Sequence, residues 1–420
     1  MVSSGMPHRS PQPTDAPAVS GDGSILSNLR AEALRLGFSR LGVAPADPSR
    51  RPPFVHEGFR RWLEAGFAGS MEPWLREHEP LRRDARQLLA EARSVIVLAT
   101  DHATRADGQG GGPGQGRVAR YAWGGDYHDL LRSRVNDLAA WLEGRLPGCQ
   151  TRGFVDSAPF PEREYGWLAG LGWIGKNTLL IDPEAGSFFL LTVLLTTADL
   201  PADVPLEVDH CGTCTACLDA CPTQAFVEPR MLDASRCLST LTIEDHGPVA
   251  ADLRAGFGDR LFGCDVCQEV CPWNRHAPGS DEPEFQPREA ATLPLADLLA
   301  VEEAGFRQRF RGTPLWRAKR RGLVRSAAIL LGNRPDVASA GALVAALGDG
   351  DDVVRGAAAW ALGRWVAVGV LGERCRAALE ARREFERDPG VRREIDQALS
   401  AQSAVSSTSA EASRPGPSTA

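Results

Sequence analysis

The spacing of apolar residues predicts a mixed α/β region in the first half of the chain. Apolar positions recur at helical spacing over residues 25–36, which indicates an amphipathic helix. Two apolar runs, residues 94–99 and 188–195, have the length of strands and are typical of strands buried in a sheet. The longer run is interrupted by Thr192 and is far too short to span a bilayer, so we expect no membrane partner.

A different pattern begins near Thr313, where helical spacing takes over and a repeat appears. Residues 322–332, GLVRSAAILLG, are echoed thirty residues later by 352–363, DVVRGAAAWALG. Arg325 and Arg355 occupy equivalent places, each followed by small residues that let a helix pack closely on its neighbour. The pattern predicts HEAT-type helical pairs. Such arrays need about three copies to be stable by themselves. We therefore expect these helices to pack against the rest of the chain.

Composition and charge narrow the classes of function. The chain has 420 residues, 43% apolar and 24% charged, which favours two or three domains. Its 47 basic and 54 acidic residues give a net charge of −7, which argues against a nucleic-acid coat but allows a local basic patch. Residues 1–23 and 400–420 are rich in Ser, Pro and Gly, and the insert 108–116 in Gly, so we expect two disordered ends and a flexible loop. The N-terminus lacks an apolar signal segment, so we expect a cytoplasmic protein.

The cysteines carry the most informative pattern. In a reducing cytoplasm, closely spaced cysteines are metal ligands or redox groups more often than disulfides. Eight of the ten lie between Cys211 and Cys271. The first four, with Pro222, form CxxCxxCxxxCP, the run of bacterial ferredoxins. A second run lacks its first member, and Cys237 is the only unassigned cysteine nearby.

Eight ligands make two 4Fe-4S clusters, and in such pairs the cysteine before the proline ligates the other cluster. We therefore expect one cluster on Cys211, Cys214, Cys217 and Cys271, and the other on Cys221, Cys237, Cys264 and Cys267. A pair of zinc ribbons is the alternative, but zinc sites use two CxxC pairs rather than a triple closed by CP. We expect Cys149 and Cys375 to be ordinary buried thiols.

Residues 170–178, GLGWIGKNT, satisfy GxGxxG and almost satisfy the P-loop pattern. Both nucleotide patterns fail in detail, since Asn177 replaces the Mg²⁺-binding hydroxyl and residues 164–169 indicate a helix rather than a preceding strand. The glycines are better explained by backbone that approaches a large planar ligand closely. The chain contains no DxHxxG, the mark of cobalamin bound through a lower protein ligand.

Several strings, taken together, resemble the epoxyqueuosine reductase family. They are Val155-Asp-Ser-Ala-Pro159, Glu162-Arg163, residues 169–177 and the cysteine array, with residues 120–128, Cys237-Leu-Ser239 and 241–244. The resemblance covers about residues 25–399. It implies a base-off cobalamin, two 4Fe-4S clusters, and reduction of epoxyqueuosine to queuosine at the wobble base of a tRNA, the last step of queuosine biosynthesis. We expect a monomer served by an external electron donor of the flavodoxin or ferredoxin type.

The resemblance also implies a multidomain α/β plus α fold. We expect a disordered extension over 1–23, a cobalamin-binding α/β domain over 24–204, a ferredoxin-like double-cluster domain over 205–276, a connector over 277–312, HEAT-like repeats over 313–399 and a disordered tail over 400–420.

By matching position, the resemblance implies that Asp156 protonates the epoxide oxygen. The corrin would be surrounded by Arg82, Ala119, Asp156, Asn177, Leu180, Ser239, Thr242, Glu244 and Asp265. To keep its proton near neutral pH, Asp156 would need an apolar pocket that disfavours its charged form. The structural alternative is that Asp156 caps a helix beginning near Pro159. The chain departs from the family at Thr240, where an aromatic residue is common, which puts a stacking role there in doubt.

A one-signed basic stretch supplies the expected contact with RNA. Between Ala304 and Pro335 there are nine basic residues and no acidic one, whereas solvated helix faces usually mix both signs. We expect tRNA contacts from Arg163, Arg317, Lys319, Arg320, Arg321 and Arg325. Phe310 and Trp316 lie in the same stretch and could stack on bases or belong to the core.

Two other functions fit parts of the pattern. A reductive dehalogenase-like enzyme would share cobalamin and both clusters but would act on a small molecule, and the basic stretch and helical repeats speak against it. A non-enzymatic electron-transfer module would bind no corrinoid, and Asp156→Asn would leave its function intact.

Overall fold

The structure is a computed structural model that describes residues 24–104, 111–288 and 291–400. The predicted disordered ends lie outside the described residues, apart from Ser400, as does the first part of the glycine-rich insert. The described end of that insert, Gln115 and Gly116, opens a β-strand, so the predicted loop extends too far. Within the described ranges, no helix has the length and apolar character needed to cross a membrane.

The first part of the chain alternates helices and strands, as its apolar pattern predicts. Its elements are α1 Ile25–Arg35, β1 Arg40–Pro45, α2 Pro53–Glu64, α3 Glu72–Glu77, α4 Glu79–Arg83, β2 Ser94–Asp101, β3 Gln115–Val118, α5 Tyr127–Arg145, β4 Thr151–Phe154, α6 Glu162–Leu168, β5 Trp173–Ile174, β6 Leu180–Ile181 and β7 Phe189–Thr196. The predicted helix and both predicted strands are confirmed as α1, β2 and β7.

A four-stranded antiparallel sheet, in the order β1-β2-β7-β4, forms the centre of this region. Alternate residues of a strand face opposite sides of the sheet. Val95 and Val97 of β2 accordingly pack in the cluster that contains α6, while Ile96 and Leu98 pack in the cluster that contains α1 and α5. The sheet is therefore covered on both faces, which explains why β2 is a continuous apolar run.

The cysteine-rich part has short elements. They are α7 Ala216–Asp219, β8 Phe226–Glu228, β9 Met231–Leu232, a π-helical turn Thr240–Glu244, α8 Ala251–Arg254, β10 Arg260–Phe262, α9 Val266–Glu269 and β11 Thr292–Pro294. Strand β3 pairs in parallel with β10 and antiparallel with β11. This small sheet joins segments from three of the predicted domains, whose boundaries stay predictions.

The last part is helical, but its helices begin at Leu295, earlier than the change of pattern predicted near Thr313. Its helices are α10 Leu295–Leu299, α11 Glu303–Phe310, α12 Lys319–Asn333, α13 Ala340–Ala345, α14 Asp352–Ala367, α15 Gly372–Phe385 and α16 Pro389–Ser400. Helix α12 packs on α14, and α14 packs on α15 and α16. Small residues allow this, because a Cβ on Gly332 would lie 2.4 Å from the Trp360 ring. The two echoed segments thus lie in packed helices, and their HEAT-type classification stays a prediction.

Candidate active site between the α/β region and the cysteine array

A cavity of about 770 Å³ lies where the α/β region, the cysteine array and residues 313–319 meet. Its lining includes Tyr127, Asp156 and Asn177 of the α/β region, which we call the acidic wall, and four cysteines, which we call the thiol wall. Apolar side chains also line the cavity, namely Leu179, Leu190, Phe226, Leu232, Leu238, Ile243 and Val266. The site therefore combines an apolar interior with a thiol wall and an acidic wall.

The thiol wall contains half of the cysteine array. Cys221, Cys237, Cys264 and Cys267 line the cavity. All ten cysteines of the chain are free of disulfides. Burial and the neighbouring Cys264 and Cys237 thiols raise the pKa of Cys267. Burial also raises the pKa of Cys237, although backbone hydrogen bonds oppose this shift, and the Cys221 thiol contributes to it. Electrostatic coupling thus links Cys267 to Cys264 and Cys237, and Cys237 to Cys221.

The remaining thiols form a second group away from the cavity lining. Burial and the nearby Cys211, Cys271 and Cys214 thiols raise the pKa of Cys217. Each group contains one cysteine from the other group's CxxC run, as crossing over between paired clusters requires. The short helices α7 and α9, which contain Cys217 and Cys267 respectively, pack against each other and bring the two groups together.

Asp156 lies on the acidic wall, directly after the β4 region. Its backbone has φ 44°, a left-handed conformation that is uncommon outside glycine and clusters at functional loops. The Tyr127 hydroxyl donates a hydrogen bond to Oδ2 of Asp156 at 3.2 Å. Asp156 is exposed. Helix α6 begins only at Glu162, after an N-cap at Pro161 that makes no side-chain bond, so the structure does not support the alternative that Asp156 is a helix cap.

Glu162 begins α6 and does not line the cavity, and the sequence analysis named it only as part of a motif. Its Oε1 is buried and has no hydrogen-bond partner. Burial, reinforced by the charge of Asp156, raises the pKa of Glu162 to about 7, while a hydrogen bond from its own backbone and the charges of Arg82 and Arg163 act in the opposite direction. No spacing rule identifies such a group, because the perturbation depends on burial and on charges from other elements.

Three of the other residues predicted to surround a corrin line the cavity, namely Asn177, Ser239 and Glu244. Asn177 is nearly fully buried, and its Nδ2 donates to the Cys267 carbonyl at 3.3 Å. Its Oδ1 accepts a hydrogen bond from the Leu179 N–H. The Asn177 side chain therefore connects the glycine-rich segment to the thiol wall. This explains why an asparagine stands where a P-loop would have a hydroxyl.

Five predicted corrin contacts do not line the cavity, namely Arg82, Ala119, Leu180, Thr242 and Asp265. Their side chains or backbone groups bond to other parts of the chain. Arg82 packs over the Phe59 ring and donates to the Phe160 carbonyl. Thr242 donates to the Leu238 carbonyl and accepts from the Gly263 N–H.

The other three are equally bound to neighbouring backbone. The Ala119 N–H donates to the Phe262 carbonyl at 2.8 Å. Asp265 accepts a hydrogen bond from the Arg120 N–H, and burial raises the pKa of Asp265 to about 6. Leu180 belongs to the β5–β6 hairpin. In this structure these residues support the walls of the cavity rather than facing into it.

Thr240 lines the cavity at the start of the π-helical turn. Such turns are rare and occur frequently at functional sites. A π-helical turn has no recognised sequence signature. The sequence analysis therefore identified Thr240 only as a departure from the family.

Three of the predicted RNA-binding residues, Arg163, Arg317 and Lys319, line the cavity. Arg317 donates to Glu244 at 2.7 Å, yet half of its side chain stays exposed. The Lys319 ammonium lies 5.6 Å from the centre of the Trp316 ring, and the Lys319 backbone has φ 57° and ψ 166°, a region that is almost exclusive to glycine. We call Arg163, Arg317 and Lys319 the basic rim.

The other three arginines are neutralised or buried. Arg320 is ion-paired with Asp349, and Arg321 with Asp351 and Asp352. These aspartates lie outside residues 304–335. The basic stretch contains no acidic residue, but acidic residues from elsewhere in the chain neutralise part of its surface.

Arg325 is only 1% exposed and donates to the backbone carbonyls of Leu241, Asp245 and Gly247. The structure therefore does not support its predicted phosphate contact. The aromatic residues of the stretch differ as well. Phe310 is buried in the core, while Trp316 stacks on Phe306 and lines the cavity.

Comparisons with known proteins agree with this arrangement. Residues 210–274 match a family model described as a 4Fe-4S double cluster binding domain, and residues 82–157 match "Epoxyqueuosine reductase QueG, DUF1730". The epoxyqueuosine reductase of Pseudomonas aeruginosa is 42% identical over 78% of this chain and 91% of its own length. That of Escherichia coli K12 is 38% identical over 74% of this chain and 82% of its own length.

Two solved structures are also similar. One is an epoxyqueuosine reductase with an epoxyqueuosine-modified tRNA-Tyr stem loop, with a TM-score of 0.82, 30% identity and coverage of 90% of this chain and 99% of that one. The other is the Bacillus subtilis enzyme with its catalytic aspartate loop swung out of the active site, with a TM-score of 0.80, 29% identity and coverage of 90% and 98%.

Proposed function

Because this chain belongs to the epoxyqueuosine reductase family, we propose that it reduces epoxyqueuosine to queuosine at the wobble position of tRNA. The observation that carries the proposal is a single cavity that touches both four cysteines of the double-cluster domain and Asp156. The alternative predictions, a dehalogenase-like enzyme and a non-enzymatic electron carrier, do not account for relatives of this name over most of the chain.

The reaction fixes what the two walls must supply. Removing an epoxide oxygen as water, with formation of a carbon–carbon double bond, consumes two electrons and two protons. The electrons come from an external donor of the flavodoxin or ferredoxin type through the two clusters. We assign Cys211, Cys214, Cys217 and Cys271 to the outer cluster and Cys221, Cys237, Cys264 and Cys267 to the cluster at the cavity, an assignment supported by the two groups of neighbouring thiols.

The cavity residues also fit the base-off cobalamin that the family resemblance implies. Apolar side chains would cover the faces of a large macrocycle, and the polar groups of Asn177, Ser239 and Glu244 would meet its edge. When bound there, cobalamin would supply a low-valent metal centre that delivers electrons to the epoxide. Arg82, Ala119, Leu180, Thr242 and Asp265 would hold the surrounding walls in place.

Asp156 is proposed to give the proton that neutralises the epoxide oxygen as its bond to carbon breaks. The Tyr127 hydroxyl would orient the Asp156 carboxyl through its hydrogen bond. In the Bacillus subtilis relative the loop with the catalytic aspartate is swung out of the active site. By analogy, the exposed position of Asp156 here is one setting of a loop that closes over substrate.

The basic rim is proposed to hold the phosphates of the anticodon stem loop. Its three cations line the same cavity as Asp156, so RNA bound to them would bring the wobble base to the cavity. The solved relative that carries a tRNA stem loop supports this class of substrate.

Nucleoside mass analysis tests the proposal. Epoxyqueuosine-bearing tRNA is incubated anaerobically with cluster-reconstituted protein and a reductant, with and without cobalamin. We expect the modified base to lose one oxygen only when cobalamin is present. An untouched base, with both clusters and cobalamin bound and reducible, would refute the proposed function.

A further inference from the structure

Helices α12 and α14 carry an arginine at the same position of the repeat, but the two arginines bind different parts of the chain. Arg355 of α14 donates to the Asp349 carbonyl at 3.0 Å and is ion-paired with Glu386. Both partners belong to the helical part of the chain. Arg325 of α12 instead donates to residues 241–247, which lie 78–84 positions earlier in the sequence. The repeat thus uses one arginine within itself and the other on the cavity region.

The guanidinium of Arg325 makes three bonds to this segment. Its Nη1 donates to the carbonyls of Asp245 at 2.8 Å and Gly247 at 2.6 Å, and its Nη2 donates to that of Leu241. Burial lowers the pKa of Arg325 to about 10, against the charge of Asp245, so the group stays charged at neutral pH. A buried cation is costly unless hydrogen bonds satisfy it. The segment and α12 therefore stabilise each other.

The face of α12 that carries Arg325 fits the segment closely. The three acceptors lie in the π-helical turn, at its C-cap and two residues beyond it, where carbonyls lack donors within the turn and an arginine can supply them. Gly322 precedes Arg325 by three residues, so the two share a face of the helix. A Cβ on Gly322 would lie 3.4 Å from the His246 ring, so a larger side chain would push the segment away.

The segment that Arg325 holds forms part of the cavity and is bonded to the thiol wall. Thr240, Ile243 and Glu244 line the cavity. The Leu241 N–H donates to the carbonyl of Cys237 at 2.9 Å, a proposed ligand of the cluster at the cavity. A shift of the segment would therefore move cavity side chains and a cluster ligand together.

We propose that Arg325 is a positioning residue for the reduction, which holds residues 241–247 against α12 and so fixes the cavity lining beside Cys237. Arg325 is not among the described residues that line the cavity, so it acts through the segment and not on substrate. The C-terminal helices would then shape the active site from behind. The inference rests on the proposed function.

The first test measures amide hydrogen exchange in cluster-reconstituted protein without cobalamin or tRNA. Arg325→Lys keeps the charge but loses the planar fork of donors. Exchange in residues 240–247 should become roughly tenfold faster, because buried hydrogen bonds to a charged group are lost. Arg355→Lys is the matched control and should leave these residues at wild-type rates. Equal exchange of residues 240–247 in the two variants would overturn the proposal.

The second test measures single-turnover reduction at several tRNA concentrations. Arg325→Lys should lower the rate at saturating tRNA by about tenfold to a hundredfold, since a misplacement of about 1 Å can cost about 10²-fold. The affinity for an anticodon stem loop should change far less, because the basic rim is retained. Arg355→Lys should keep the wild-type rate. A loss of affinity as large as the loss of rate would contradict a positioning role.

A third variant displaces the same segment while Arg325 is kept. In Gly322→Val the added side chain would meet the His246 ring, so exchange and saturated rate should change in the same direction as in Arg325→Lys. If Arg325→Lys protein does not fold, wild-type values in Gly322→Val would overturn the proposal. If wild-type protein fails to reduce tRNA while exchange in residues 240–247 responds to Arg325→Lys and not to Arg355→Lys, the proposed function has failed, whereas the hold of Arg325 on the segment has not.

Discussion

The two walls of the cavity are built on different physical principles. The thiol wall consists of half-buried cysteines on short helices and turns, held by neighbouring backbone groups. The acidic wall presents Asp156, an exposed aspartate with a left-handed backbone. Electron transfer needs fixed positions, whereas proton transfer needs groups that change charge and contact solvent. The difference predicts that changes to the two walls will fail in different ways.

The largest effect is expected on the thiol wall. Cys237→Ser should abolish tRNA reduction and lower the bound iron by about half, because one of two four-iron clusters loses a ligand. Iron analysis and absorption spectra measure this loss. Cys149→Ser is the control, since Cys149 lies outside the array and contacts the Thr196 hydroxyl. Full iron content in the Cys237→Ser protein would remove Cys237 from the ligand set.

On the acidic wall, Asp156→Asn should lower single-turnover reduction by about 10²–10⁴-fold, the usual contribution of a general acid. The Asp156→Asn protein should contain as much iron as wild type, because Asp156 is not one of the proposed cluster ligands. Asp199→Asn, an exposed aspartate paired with Arg93, serves as the control. Turnover within about twofold of wild type would exclude Asp156 as the proton donor.

The basic rim should affect binding more than chemistry. Replacing both Arg317 and Lys319 by Gln should weaken binding of an anticodon stem loop and lower the slope of log affinity against log salt by about 1.4–1.8, because two phosphate contacts are lost. Fluorescence anisotropy at several salt concentrations measures the slope. The proposed role of the rim would be wrong if the slope stayed that of wild type.

The smallest effect on binding is expected from Arg320 and Arg321. Both are ion-paired and, unlike the ion-paired Arg317, neither lines the cavity, so the Arg320→Gln, Arg321→Gln double variant should change the salt slope little and instead lower stability by about 1 kcal/mol. Thermal unfolding and the same anisotropy titration separate the two effects. A slope reduced as much as in the rim variant would show that RNA opens these ion pairs.

Local features of the chain could be predicted from its sequence. The helix α1 and the strands β2 and β7 follow directly from apolar periodicity, and the cysteine spacing predicted the double-cluster domain that the family model matches. These features depend on neighbours a few positions apart, so the pattern contains the information.

Features that depend on distant partners could not be predicted. Strand β3 pairs with β10 across more than a hundred residues, and no short-range pattern announces such pairing. The ion pair of Arg320 could not be predicted either, because its partner Asp349 is distant along the chain. The shifted pKa of Glu162 likewise arises from burial and from charges on other elements. Charge composition is therefore a weak guide to a binding surface until the partners of each charge are known.

The central claim is that the redox cofactor and the inner cluster share this cavity. EPR spectroscopy of protein loaded with cob(II)alamin, with the clusters oxidised and then reduced, tests it directly. We predict that reduction broadens or splits the cobalt signal, because a paramagnetic cluster on Cys221, Cys237, Cys264 and Cys267 would lie beside it, and that Cys237→Ser removes the effect. A cobalt signal that is identical in the oxidised and reduced protein would contradict the account.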